Sequence, residues 1–206
     1  MLYRFAWNLC RMVLLAVRRL EVLGAHHIPP EGGLVLASNH VSYWDPVIVC
    51  CAFPKTRQVH FMAKAELFEI PLLGLFMKKV GAFPVRRGGA DRSAIRTALQ
   101  HLQSGQVVGI FPEGTRNKSE GMLEPHLGAA MLALRTGSPV LPAAVIGSRG
   151  FLGKVKIIFG PPLRFSPEDA AGKPKRAGRS DLTEISRLIM ERVGDLMTIP
   201  KSGGFN

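Results

Sequence analysis

The sequence predicts an α/β fold: a single domain, 1–206, with a central mixed, largely parallel sheet flanked by helices, plus an N-terminal amphipathic helix. Three observations carry this. Short β-branched apolar runs alternate with longer segments of helical periodicity, the order expected of parallel strands joined by crossover helices. At 206 residues the chain is one domain's worth of polypeptide, able to bury a core without disulfides or a structural metal. Its 47% apolar and 20% charged residues are an ordinary globular mixture, which excludes disordered, collagen-like and coiled-coil chains.

The first twenty residues, MLYRFAWNLCRMVLLAVRRL, have a signal-like flavour, but their longest apolar run, Met12 to Val17, is too short for a signal core or a membrane span. Wound as a helix, they gather Leu2, Phe5, Leu9, Val13, Ala16, Val17 and Leu20 on one side and Arg4, Arg11 and Arg18 on the other. Such a helix either packs its apolar face on its own domain or lies in a membrane interface. Tyr3 and Trp7 suit the headgroup level, and the twenty residues hold Arg4, Arg11, Arg18 and Arg19 and no acidic side chain. At about 1 kcal/mol per basic residue near anionic lipid, those arginines would contribute up to roughly 4 kcal/mol, enough for peripheral attachment only.

The catalytic core is expected over 21–165. Gly33 to Ala37, Val59 to Ala63, Val107 to Phe111, Val140 to Ile146 and Val155 to Phe159 read as strands, Ala90 to Gln103 and Leu127 to Thr136 as helices. Leu67 to Met77, followed by Lys78 and Lys79, reads as the wall of an apolar slot or a membrane-dipping surface, with an ordinary core helix as the alternative. The basic loop Gly172 to Gly178 precedes a last helix, 180–197, whose start carries Asp181 and Glu184 at capping-box spacing. Pro200 to Asn206 reads as a frayed end.

With 27 Lys plus Arg against 15 Asp plus Glu, the formal charge of +12 calls for a polyanionic partner: a phosphorylated substrate, anionic lipid or nucleic acid. Cys10, Cys50 and Cys51 form no zinc framework and read as small packing residues in a reducing compartment.

Chemistry concentrates where strands end, which is where α/β ligand crevices form. After the first of the long strands comes Ala37-Ser-Asn-His-Val-Ser-Tyr-Trp-Asp-Pro46. A bend would let Asp45 accept the N–H of His40, fix its tautomer and leave the other ring nitrogen as a general base. The plainer reading makes Asp45 a helix N-cap with Pro46 behind it. Ile110-Phe-Pro-Glu-Gly-Thr-Arg116 leaves another strand, and Pro112 and Gly114 turn the backbone to present Glu113, Thr115 and Arg116. Arg116 there is suited to phosphate, or to an ion pair with Glu113. Arg86 and Arg87 close a short extended run, and Lys64 ends another strand.

These segments resemble the 1-acyl-sn-glycerol-3-phosphate acyltransferase family. Asn39-His40-Val41-Ser42-Tyr43-Trp44-Asp45 matches its NHxSxxD box at every fixed position, Phe111 to Arg116 reproduces its FPEGTR block, Gly81 to Arg87 is similar to the second block and Val140-Leu-Pro-Ala143 to the fourth. The likeness runs from about Leu23 to Leu163. It implies that His40 is the base and Asp45 its orienter, that Glu113 holds either the glycerol backbone or its own loop beside Gly114 and Thr115, and that Arg87, Arg116 and Lys64 hold a phosphate. Pro84 departs from the usual pattern, which leaves the second block's arginine open between Arg87, favoured by register, and Arg86. Asn39 and Ser42 would shape the turn. Any long N-terminal anchor of other members is missing before the first box.

The implied reaction moves a fatty acyl group from acyl-CoA or acyl carrier protein to the sn-2 hydroxyl of lysophosphatidic acid. It needs no resident cofactor or metal, and implies an enzyme peripheral on the cytoplasmic face of the membrane, an anionic membrane surface as partner and no nucleic acid. The same site on glycerol 3-phosphate or another lysophospholipid is the alternative, with thioester hydrolysis as a side reaction; a basic membrane- or nucleic-acid-binding module without catalysis is the reading from another class. The last leaves His40 and Asp45 unused, and no GxSxG or Walker spacing occurs.

Overall fold

The computed structural model describes residues 2–86, 91–119, 121–150, 152–166 and 178–198. Arg87, residues 172–177 of the basic loop and the tail from Pro200 lie outside them.

Seven strands form one sheet: β1 (Glu21–Leu23), β2 (Leu34–Ser38), β3 (Val59–Lys64), β4 (Phe83–Val85), β5 (Val107–Ile110), β6 (Val140–Ile146) and β7 (Lys156–Phe159), in the spatial order β1-β7-β6-β2-β5-β3-β4. β6, β2, β5, β3 and β4 run parallel, and β7 turns back antiparallel against β6 with β1 parallel to it. The mixed, largely parallel sheet expected from the alternation of runs is the one found. β2, central and covered on both faces, is buried at every position, as its unbroken LVLAS run requires. β1, three residues long, carries too little pattern to be seen in the sequence.

The helices are α1 (Leu2–Arg18), α2 (Asp45–Ala52), α3 (Leu73–Lys79), α4 (Arg92–Gln103), α5 (Gly128–Thr136) and α6 (Arg179–Thr198). Two cores result. On one face Leu14 of α1 and Ile48, Val49 and Cys51 of α2 pack on Leu36, Phe61, Leu141 and Phe159; on the other, Ala94 and Ala98 of α4, Leu132 of α5 and Ile189 of α6 pack on Val35, Val108 and Val140. Asp91 caps α4 by accepting from Ser93 N at 2.9 Å and Ala94 N at 3.2 Å. At the start of α6 the expected capping box shifts by one turn: Asp181 is itself the back-reaching residue, accepting from Gly178 N at 2.8 Å.

The N-terminal helix forms, but its faces are the reverse of the domain-packing expectation. Leu2, Phe5, Leu9, Val13 and Val17 are exposed, with Phe5 at 66%, and so is Met12. The opposite face meets α2. There the Trp7 indole donates to Cys50 O at 2.9 Å and Phe53 O at 3.2 Å, and Arg11 donates to Cys51 O, so α1 satisfies the carbonyls that end α2. Arg18, 3% exposed, donates to the carbonyls of Gly147, Gly150 and Gly153 at 2.8, 3.0 and 3.0 Å. Arg11 and Arg18 are therefore committed to the fold and Trp7 is turned inward, which corrects their assignment to a headgroup-facing stripe. Of the four, only Arg4 and Arg19 stay exposed, so the contribution expected of them near anionic lipid would drop to roughly 2 kcal/mol.

The cysteines pack where α1 meets α2. Burial pushes the Cys50 and Cys51 thiols up to about 12, so they stay protonated at neutral pH, as packing residues should.

Leu67 to Met77 is no core helix. It forms a 3₁₀ turn and α3, of which only Gly74 is buried, while Leu72 is 82% and Leu75 55% exposed. Among the described residues no helix is long and apolar enough to cross a membrane.

Candidate active site

The site gathers at the C-terminal edge of the parallel strands. Register places Ala37 beside Ile110 and Ser38 beside Ala143, so the loops that leave β2 and β5 emerge side by side. Asn39, 1% exposed, extends the ladder after the backbone of β2 turns away: its amide donates to Val145 O at 2.9 Å and accepts from Val145 N at 2.8 Å, as a peptide group would. The chain then bends sharply through residues 40–45.

Asp45 organises that bend. Its Oδ2 accepts from Val41 N and Ser42 N, both at 2.7 Å, and from Nδ1 of His40 at 2.9 Å, with the carboxylate fully buried. It stands at the first turn of α2, yet its acceptor reaches backward into the loop and makes no cap to the helix, so the plain N-cap reading fails. Ser42 Oγ accepts from Trp44 N at 3.2 Å and finishes the turn, the shaping role expected of it. An ionised carboxylate only accepts, so the proton sits on Nδ1 and Nε2 presents its lone pair.

The plane of the imidazole is set by a stack. His40 lies on Phe111 at 4.1 Å and 15°, and Phe111 lies on Phe61 at 5.2 Å and 12°. Phe61 in turn rests on the backbone of Gly109, where a Cβ would come within 2.4 Å of its ring. Sequence reasoning missed Phe61 and Gly109; a glycine inside a strand pattern was the one available signal. The imidazole is 14% exposed, and Nε2 has no hydrogen-bond partner among the described residues.

The loop after β5 is zipped to this bend. Asn117 N donates to His40 O at 2.7 Å, and Glu113, 3% exposed, accepts from His40 N at 3.0 Å through Oε1 and from Leu123 N at 3.2 Å through Oε2. Of the two roles expected for Glu113, the geometry supplies the second: both oxygens hold the loop. The anticipated ion pair with Arg116 does not form. Gly114 turns with φ +66° against the ring of His126, which a Cβ would meet at 2.4 Å, so a side chain is excluded there by both strain and space. Thr115 is exposed at the loop's tip. Arg116 stacks its guanidinium on Tyr43 at 3.5 Å.

The other cations fall further out. Lys64 pairs with Glu66 at 3.0 Å. Phe61 packs on the α2 side and Met62 on the α4 side, so alternation roots Lys64 on the α4 side, away from His40. Phe83 and Val85 also belong to the α4 side, which turns Arg86 toward the side of His40. The Arg86 N–H donates to Asp91 at 2.9 Å, and that bond, ahead of the one from Ala94, holds the Asp91 carboxyl below its ordinary range.

Comparison with known proteins fits this geometry. A family model described as Acyltransferase matches residues 19–146. The 1-acyl-sn-glycerol-3-phosphate acyltransferase of Bacillus subtilis (strain 168) is 35% identical over 196 residues, spanning 92% of this chain and 96% of that protein. The alpha form from Homo sapiens is 30% identical over 217 residues, spanning 96% of this chain and 76% of that one. The crystal structure of the 1-acyl-sn-glycerophosphate acyltransferase PlsC from Thermotoga maritima shares the fold, with a TM-score of 0.71 at 24% identity over 97% of this chain and 81% of that one. With the family model matching more than half of the chain and the Bacillus protein matched over nearly its full length, the chain is an acyltransferase and belongs to the 1-acyl-sn-glycerol-3-phosphate acyltransferase family.

Proposed function

We propose that the enzyme transfers a fatty acyl group from an acyl thioester, acyl-CoA or acyl carrier protein, to the sn-2 hydroxyl of 1-acyl-sn-glycerol 3-phosphate, forming phosphatidic acid. The observation that carries the reading is the His40 Nδ1 to Asp45 Oδ2 bond at 2.9 Å, with Nε2 unpaired among the described residues. A hydroxyl is too weak an acid to ionise on its own, so Nε2 takes its proton as the oxygen attacks the thioester carbonyl. Asp45 holds the ring in the required tautomer and stabilises the imidazolium as it forms. The tetrahedral intermediate then collapses, and the imidazolium returns the proton to the departing thiolate.

Phosphate binding falls to Arg116 and, from the second block, Arg87 or its neighbour Arg86. Lys64 joins them only by leaving Glu66. Clamping the phosphate orients the attacking hydroxyl and makes its encounter with the thioester effectively intramolecular. Glu113, Gly114 and Thr115 shape the loop that carries Arg116.

The uncovered apolar faces of α1 and of the Leu67 to Met77 segment support peripheral attachment to an anionic membrane, which the proposal puts on its cytoplasmic face. The test uses purified protein, an acyl thioester and oleoyl-lysophosphatidic acid. Thiol release that requires both substrates and disappears in His40→Ala, with the circular dichroism unchanged, supports the reading. Equal release without the acceptor makes the protein a thioesterase, and retained activity in the variant removes His40 from the mechanism.

A further inference from the structure

Tyr43 occupies a variable position of the first box and has no part in either core. Its side chain is among the most exposed of the large hydrophobics, at 77%, so it contributes little to packing. Its backbone, however, is fixed from both sides: Val41 N and Ser42 N bond to Asp45 at 2.7 Å, Trp44 N bonds to Ser42 Oγ at 3.2 Å, and Asp45 N bonds to Ser42 O at 3.3 Å. An exposed ring on a rigid turn beside His40 invites a reason, and the reason lies on its face. The guanidinium carbon of Arg116 sits 3.5 Å from the ring centroid.

Arg116 is one residue from Asn117, whose N–H grips His40 O at 2.7 Å, so the cation is rooted beside the imidazole. Among the described residues it has no ion pair and no hydrogen bond. A long arginine without a partner would sample many rotamers, and the ordering would be charged to substrate binding. A carboxylate partner would order it but occupy the same planar fork of N–H groups that recognises phosphate. Stacking on an aromatic face orders the guanidinium and leaves its edge free.

We propose that Tyr43 is a positioning residue for acceptor recognition: its ring holds the Arg116 guanidinium flat at the mouth of the site, donors outward, preorganised for the phosphate monoester of the acceptor. The inference rests on the function proposed above and adds to it a residue that touches neither reacting atom.

The test uses a short-chain, water-soluble lysophosphatidic acid, so that membrane attachment does not enter, and reads both steady-state constants and acceptor binding by calorimetry without donor. An exposed cation–π contact corresponds to about a two- to fivefold change in binding. Tyr43→Leu is expected to raise KM and Kd for the acceptor by that factor with kcat within twofold of wild type. Tyr43→Phe should restore wild-type values, and Tyr43→Trp should match or improve them. In an Arg116→Ala background, Tyr43→Leu should change nothing further.

Unchanged KM and Kd in Tyr43→Leu would overturn the proposal, as would an equal rise in the Arg116→Ala background, which would mean that the ring meets the acceptor itself. A fall in kcat without a change in KM would also overturn it, because it would make Tyr43 a support of His40. If the wild type binds the acceptor but does not acylate it, the reaction assignment fails while the Kd cycle still decides the role of Tyr43.

Discussion

Replacing Glu113 by Gln separates a loop-holding carboxylate from a substrate-binding one. The wild-type side chain is buried and accepts two backbone N–H groups, from His40 at 3.0 Å and from Leu123 at 3.2 Å. An amide has one acceptor and one donor, so whichever way it turns, one of those N–H groups faces an NH₂. Hydrogen bonds to a charged acceptor contribute about 1.5–3 kcal/mol each, and a neutral one about 1 kcal/mol. Losing one bond and weakening the other thus costs about 2–5 kcal/mol. For a domain of this size that is a drop in Tm of about 4–20 °C. Because the His40 tether is either broken or weakened, whichever way the amide turns, kcat should fall as well, with KM for the acceptor little changed. Thermal unfolding by circular dichroism and steady-state kinetics on the same preparation read both effects. A Tm within about 2 °C of wild type together with a large rise in KM alone would refute the reasoning and return Glu113 to the substrate.

Asp45→Asn keeps the shape of the bend but removes the anionic acceptor, and should lower kcat by about 10²–10⁴-fold with a smaller effect on KM; near-normal kcat would show that the ring needs no orienter. Phe5→Asp with Met12→Asp, both on the uncovered face of α1, should weaken sedimentation with anionic vesicles and leave Tm unchanged, whereas Arg18→Gln should lower Tm, because Arg18 holds three carbonyls. His60 on β3 stacks on His101 at 4.1 Å and donates to Gly81 O at 2.9 Å; burial first, then His101, holds its pKa below the ordinary value. The unfolded state then binds more protons below about pH 6.5, so this contribution to stability is whole above that pH and is lost as the pH falls through it. Tm of the wild type should fall more between pH 7.5 and 5.5 than Tm of His60→Gln, and identical slopes would remove His60 from the acid response.

What the sequence disclosed follows from the range of each signal. Strands such as Val140–Ile146 were legible because continuous burial demands a continuous apolar run, and the bend at His40 and Asp45 was legible because both partners lie within one turn of chain. The orientation of α1 was not. Periodicity finds an apolar face without saying what it meets, and here the packed face uses Trp7, Arg11 and Arg18 to satisfy carbonyls, so side chains that look solvent-seeking are the interior ones. The role of Glu113 stayed open between substrate and loop because its two acceptor bonds are to backbone groups, which leave no trace in side-chain identity. The contact of Tyr43 with Arg116 joins two loops that only the sheet brings together.

The three carbonyls held by Arg18 belong to the turn between β6 and β7, and from the same turn Arg149 donates to Asn117 O at 3.2 Å and Ser119 O at 3.1 Å. Asn117 in turn grips His40. The first helix is therefore wired to the His40 loop through two guanidiniums and a hairpin. Trimming the protein to residue 20 in search of a detergent-free core would strip a hairpin of its brace, uncap the end of α2 and open a hole where Leu14 sat, so what dissolved more readily would turn over less. A pull on that helix would travel along the same bonds to the histidine.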